Sequence, residues 1–183
     1  DWQSRYLATG ANTDYNPYEK GDGTIGGIAR LATMLDELRS KADGPVLTLD
    51  GGDFTMGSLF HTITRETGSE LQFLQLLGYD ATCLGNHEFD FRPEGLAQMI
   101  GSALTASGQI PPILSSNIVF SNTPRDAALK AYMEQGVLKR YMIIERGGMR
   151  FGLFGLLGIE AAEVAPDKFP VTFTDPIEEG KKY

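Results

Sequence analysis

An alternation of helical repeats and short apolar runs, with polar glycine-containing loops closing the first two runs, constrains the fold more than any other feature of this chain. From Gly23 to Lys41 the apolar residues Ile28, Leu31, Leu35 and Leu38 recur at helical spacing, with Arg30, Asp36, Glu37 and Arg39 off that stripe, which predicts an amphipathic helix. Gly44-Pro45 breaks it, and Val46-Leu47-Thr48-Leu49 predicts a strand buried on both faces. Ser69 and Gln72 have capping-box spacing, so a second helix is expected through Leu71, Phe73, Leu74 and Leu77 to a stop at Gly78. Ala81-Thr82-Cys83-Leu84 is the next strand. A third helix beginning near Pro93 carries Leu96, Met99, Ile100 and Leu104 to the Pro111-Pro112 break, and Ile113-Leu114-Ser115 follows as a third strand. This order predicts an α/β layer fold whose ligands sit beyond the carboxyl ends of the strands.

Later the pattern changes. Tyr141 to Glu145 and Met149 to Phe154 flank Arg146-Gly147-Gly148, which predicts an antiparallel hairpin. Met133-Glu134 and Lys139-Arg140 read as a solvated helix and turn, and Ala161 to Pro170 as a loop. Asp175-Pro176-Ile177-Glu178-Glu179 reads as a helix start, and the chain opens on Asp1-Trp2-Gln3, so both ends suggest a piece of something larger.

Charge narrows the partners. Lys and Arg total 16 against 24 Asp and Glu, a net charge of −8, which repels phosphate backbones and anionic lipid surfaces. No nucleic acid polymer and no membrane are expected as partners, and no apolar run approaches the roughly 20 residues that span a bilayer. An acidic protein that handled phosphate would need local cations, which a divalent metal supplies. Cys83 is the single cysteine and cannot form an internal disulfide.

The chemistry-bearing residues concentrate in two loops. Gly52-Asp53 and Gly85-Asn86-His87-Glu88-Phe89-Asp90 each follow a predicted strand at its carboxyl end, so the fold should bring them together. The carboxylate of Asp53 can bridge two divalent cations, and the amide oxygen of Asn86 is a hard ligand for one of them. His87 offers an imidazole to a phosphoryl oxygen or leaving group, and Asp90 can hold its other ring nitrogen. Alone, Asp53 would more often be a turn former, and the pairing of the two loops favours chemistry. Gly21, Gly23 and Gly26 match G-x-G-x-x-G, but Asn16-Pro17-Tyr18-Glu19-Lys20 stands where a buried strand should precede it, so a plain glycine-rich loop is expected. His61 reads as a loop or helix-start histidine near the cleft, Asn117 as a loop-stabilising amide, and Ser115-Ser116 has no histidine partner for nucleophilic catalysis.

Gly52-Asp53 followed by Gly85-Asn86-His87-Glu88-Phe89-Asp90 resembles the calcineurin-like metallophosphoesterase superfamily, in particular its 5′-nucleotidase and UDP-sugar hydrolase branch. The resemblance takes in Gly26-Gly27-Ile28-Ala29-Arg30-Leu31, Gly78-Tyr79-Asp80-Ala81 and Leu114-Ser115-Ser116-Asn117. It implies mixed β-sheets flanked by helices, two divalent metal ions (Mn, Zn, Mg, Fe or Ca) and hydrolysis of a small phosphoester, nucleotides foremost. By resemblance Asp1 and Gln3 would serve the first metal, with Gln3 in place of the family's histidine. Asp53 would bridge both metals, Asn86 would bind the second, and His87 paired with Asp90 would stabilise the transferring phosphoryl group. The family completes its metal sites with later histidine loops ending in Gly-His-x-His, whereas this chain has two histidines, His61 and His87. Residues 1–183 are therefore expected to be part of a catalytic domain without its first strand and later histidine loops, inactive alone, whose parent is periplasmic or extracellular and carries a carboxy-terminal substrate-binding domain. The competing expectation is a non-catalytic binding domain that keeps the fold.

Overall fold

The computed structural model describes residues 2–10, 18, 23–121, 123–165 and 167–183. Thr9–Gly10 (β1) pairs antiparallel with Thr24–Ile25 (β2), and Ile28–Lys41 forms α1. Leu49–Asp50 (β3) leads through a 3-10 turn to Thr64–Thr67 (α2) and Ser69–Leu76 (α3). Ala81–Cys83 (β4), Arg92–Ser107 (α4), Ile113–Leu114 (β5), Ile118–Val119 (β6), Pro124–Glu134 (α5) and Leu138–Lys139 (β7) follow. Tyr141–Arg146 (β8), Met149–Phe154 (β9), Ile159–Val164 (α6), Thr172–Phe173 (β10) and Pro176–Gly180 (α7) complete the described chain.

The central sheet is parallel, in the order β3-β4-β5-β7, with Leu49 opposite Ala81, Thr82 opposite Ile113 and Ile113 opposite Leu138. Parallel neighbours need crossovers, and α3, α4 and α5 supply them in turn. The core gathers around α4, whose Leu96, Met99, Ile100 and Ala103 are buried with Leu71 and Leu74 of α3, Leu129 of α5, and Ile113 and Leu138 of the sheet. β8 and β9 form the expected hairpin, with Arg146 opposite Met149 and both turn glycines, Gly147 and Gly148, at positive φ (59° and 78°). Two positive φ values in a two-residue turn match the twist of the strands it joins. Arg146 ties the hairpin to the sheet, donating to Asp80 at 2.5 Å and to the Val46 carbonyl at 3.1 Å.

Several local expectations give way to tertiary context. β3 is the edge of the parallel sheet, and Leu49 is 48% exposed, not buried on both faces. The apolar stripe of α1 contains no buried residue, so the amphipathic pattern meets no core layer among the described residues. Ser69 is the first helical residue, not a cap: its N–H is met by Thr67 Oγ1 at 3.3 Å, and Gln72 reaches the Thr67 carbonyl at 2.6 Å. Gly68 takes the cap position, where a Cβ would come within 2.5 Å of the Met99 carbonyl oxygen of α4. Its end is as expected: Gly78 (φ 70°) and Tyr79 donate to Gln75 and Leu74, a Schellman closure. Leu138–Lys139 is a sheet strand and not a turn, and the Arg140 guanidinium donates to the carbonyls of Ser116 and Ile118. Residues Ile159–Val164 are helical, in contrast to the loop that the sequence predicts. Asp175 caps α7 through Ile177 and Glu178 N–H, as its sequence predicts. Among the described residues, no helix is long and apolar enough to cross a membrane.

Candidate active site

Both chemistry-bearing loops leave the sheet at the carboxyl ends of adjacent parallel strands. After β3, the Asp50 carboxylate accepts the Gly52 N–H at 3.0 Å and the Thr82 hydroxyl at 2.5 Å, which draws the loop over β4. Gly52 (φ 94°) and Asp53 (φ 51°) then turn in the left-handed region. A left-handed aspartate costs free energy and persists only where its surroundings impose it.

The imposing neighbour is the loop after β4. A Cβ on Gly52 would come within 2.5 Å of the Gly85 nitrogen, and one on Gly85 within 2.2 Å of Asp53 Oδ1. The loops thus pack backbone against backbone at a separation that only glycine allows. We expect Gly85→Ala to push the Asp53 carboxylate aside and destabilise the protein by about 1–3 kcal/mol, measurable as a lower urea midpoint.

Asn86 opens a 3-10 turn over His87–Phe89, anchored by the buried Phe89 ring. The His87 N–H donates to Asp53 Oδ1 at 3.0 Å, joining the loops directly. His87 Nδ1 lies 3.2 and 3.1 Å from the two carboxylate oxygens of Asp90. A carboxylate accepts, so the ring proton sits on Nδ1 and leaves Nε2 for a ligand. The side chains of His87 and Asp90 are 26% and 18% exposed, which is open enough to meet a small molecule.

Sequence reasoning passes over Glu88, which carries much of this architecture. It is 3% exposed, and its carboxylate accepts from Gly85 N–H (2.6 Å), Asp53 N–H (2.9 Å), Thr55 N–H (3.1 Å) and the Thr55 hydroxyl (3.2 Å). One side chain thereby clasps both loops. Burial pushes its carboxyl up to about 7, the three N–H groups pull it down, and the Asp53 charge adds to the rise. The available signal is a glutamate flanked by the fixed turn residues and a buried phenylalanine.

Of the other expected site residues, Asp1 lies outside the described residues, as do Asn16, Pro17, Glu19, Lys20 and Gly21 of the glycine-rich segment. Gln3 (φ 52°) donates its N–H to the Asp53 carbonyl at 3.2 Å, and its side chain lies along Gly57, where a Cβ would sit 3.4 Å from its Oε1. Asn117 is a buried amide, donating to the Leu157 and Thr174 carbonyls at 2.9 Å and accepting the Leu157 N–H at 3.0 Å. It is the loop stabiliser that its sequence context suggests. Among the described residues, no group of three or more His, Cys, Asp and Glu side chains could hold a metal ion. The Asp53 carboxylate and the amides of Asn86 and Gln3 offer hard oxygens of the kind that divalent cations accept.

No family model matches the chain. It is 35% identical over 164 residues to a snake venom 5′-nucleotidase of Gloydius brevicauda, covering 89% of the chain and 26% of that protein. Against the 5′-nucleotidase of Bos taurus it is 34% identical over 154 residues, covering 84% of the chain and 24% of the relative. The crystal structure of a 5′-nucleotidase precursor from Thermus thermophilus matches all of the chain and 32% of that protein, with a TM-score of 0.74 and 28% identity. In sequence and in fold the chain is similar to part of the 5′-nucleotidases. The fold is shared with the calcineurin-like phosphoesterase YfkN from Bacillus subtilis, which superposes with a TM-score of 0.68 at 18% identity. The chain spans about a quarter of the length of these curated 5′-nucleotidase relatives. The mixed α/β architecture expected from the sequence is therefore the one observed.

Proposed function

We propose that the protein containing this chain is a dinuclear metal-dependent phosphoester hydrolase of the 5′-nucleotidase type, acting on nucleotides or related small phosphoesters. Residues 1–183 form part of its catalytic domain in this reading, with histidine ligands and a substrate-binding domain supplied by further sequence, and the whole protein works in a periplasmic or extracellular setting. What carries the reading is the pairing of His87 Nδ1 with Asp90 beside the joined Asp53 and Asn86 loops. An imidazole with Nδ1 committed to a carboxylate presents Nε2 to a phosphoryl oxygen, and when it carries a proton on both nitrogens it can donate a hydrogen bond or that second proton there. Asp53, Asn86, Gln3 and Asp1 would hold the two divalent cations, which when bound supply positive charge to draw in a phosphate and offset the charge that develops on it. That charge also answers the −8 of the chain, which otherwise repels an anionic substrate.

The test is phosphate release from nucleoside 5′-monophosphates by the full-length protein, with metal content measured alongside. Asp53→Ala is expected to lose both bound metal and activity. Binding of nucleotides without any phosphate release would favour the non-catalytic alternative, for which glutamine at position 3 in place of a histidine is the supporting observation.

A further inference from the structure

His61 is the second histidine at this site, and the phosphoryl chemistry assigned to His87 and Asp90 leaves it without a role. It lies in the 3-10 turn Leu59–Ile63, and its Nδ1 accepts the Met56 N–H at 3.0 Å. Met56 takes a left-handed conformation (φ 70°) where it makes this contact. A neutral imidazole that accepts at Nδ1 carries its proton on Nε2. Burial favours that neutral form, pushing the His61 imidazole below its ordinary range against the pull of the Asp90 charge. The Nε2 of His61 lies 3.6 Å from Asp90 Oδ2, the same oxygen that stands 3.1 Å from His87 Nδ1. The ring is stacked on Phe91 at 4.5 Å and 21°, and the Arg65 guanidinium covers the same phenylalanine at 4.6 Å.

We propose that His61 is a positioning residue for the His87–Asp90 pair, its Nε2–H engaging the oxygen that both imidazoles share and holding the Asp90 carboxylate in the orientation that fixes the His87 tautomer. The inference rests on the reading of His87 as the group that meets the phosphoryl oxygen. Its physical basis is the count of restraints on Asp90. Among the described residues, the two imidazoles are the side chains that reach its carboxylate. Held by one ring, a carboxylate can rotate about its own bond; held by two, it cannot turn without losing a contact. The 3.6 Å separation is just beyond hydrogen-bond range, and such contacts tighten when a substrate occupies the site. His61 is itself held on two sides, by the Met56 N–H and the Phe91 ring, so it can act as a fixed point.

Two substitutions in the full-length protein separate the two nitrogens. His61→Asn keeps an acceptor near Nδ1 for the Met56 N–H but lacks the distal donor, whereas His61→Gln carries an amide N–H toward the Nε2 position. We expect His61→Asn to lower kcat by about 10-fold with KM changed by less than about twofold, and His61→Gln to recover most of kcat. Nitrogen-15 spectra of the metal-free protein give a readout independent of turnover: His87 should hold its proton on Nδ1 in the wild type and His61→Gln, and show mixed tautomers in His61→Asn. Unchanged His87 ring signals in His61→Asn, or His61→Gln as impaired as His61→Asn, would overturn the proposal. Should the wild type release no phosphate from any nucleotide, the hydrolase reading fails while the ring signals still decide the role of His61.

Discussion

His87→Ala in the full-length protein is expected to lower phosphate release from a nucleoside monophosphate by about 10³-fold while leaving bound metal unchanged. The size follows from losing a positioned imidazole whose Nδ1 is committed to Asp90 at 3.1 Å and whose Nε2 is left for a ligand. The selectivity follows from the backbone. The contact between His87 and the Asp53 carboxylate is made by the His87 N–H, at 3.0 Å, and survives truncation of the side chain. Metal content by elemental analysis, set beside kcat, distinguishes the two roles open to His87. Loss of metal in the variant would make His87 a ligand and sink its assignment to the phosphoryl group.

Glu88→Ala should do the converse damage, destabilising the protein by about 3 kcal/mol or more and releasing metal. Its carboxylate is the acceptor for the N–H groups of Gly85, Asp53 and Thr55, and removing it orphans buried donors in both loops at once. Urea unfolding measures the loss, and an unchanged midpoint would show that the clasp contributes nothing. The same residue sets a pH dependence of definite sign. With the carboxyl pushed up to about 7 from 4.5, the folded protein between those values holds a proton that the unfolded chain has released. The stability tied to that proton is fully present below the ordinary value and is lost as pH rises through about 7. In metal-free protein, the wild type should therefore lose up to about 3 kcal/mol more than Glu88→Gln between about pH 5 and about pH 8. Identical pH profiles for the two proteins would refute this.

How much can be read in advance depends on whether a feature repeats along the chain. The apolar repeat of α4 names Leu96, Met99 and Ile100, and all three are buried. The two glycines after Arg146 mark the hairpin turn, and Gly78 marks the end of α3. Two-residue strands carry no period, so Lys139-Arg140 reads as a charged turn although the backbone of Leu138–Lys139 completes the parallel sheet. Ser69 has the spacing of a cap relative to Gln72, and the helix does begin there, but Gly68, packed against α4, holds the cap position. The stripe of α1 has the right period and finds no buried position, since periodicity describes a helix face and not what lies against it.

By itself the sequence determined the alternation of α1, β3, α3, β4, α4 and β5 and the β8–β9 hairpin, the placing of Asp53, Asn86, His87 and Asp90 in the loops after β3 and β4, and the donor chemistry of those four side chains. These follow from local pattern and residue type. Tertiary structure alone decided that Gly52 and Gly85 meet too closely for any side chain, that Glu88 turns inward to join both loops, and that His61 reaches the Asp90 carboxylate. Each of those contacts joins positions separated along the chain or depends on which way a side chain turns at a loop. Such contacts leave no periodic trace and exist only once the parallel strands have brought their carboxyl ends side by side.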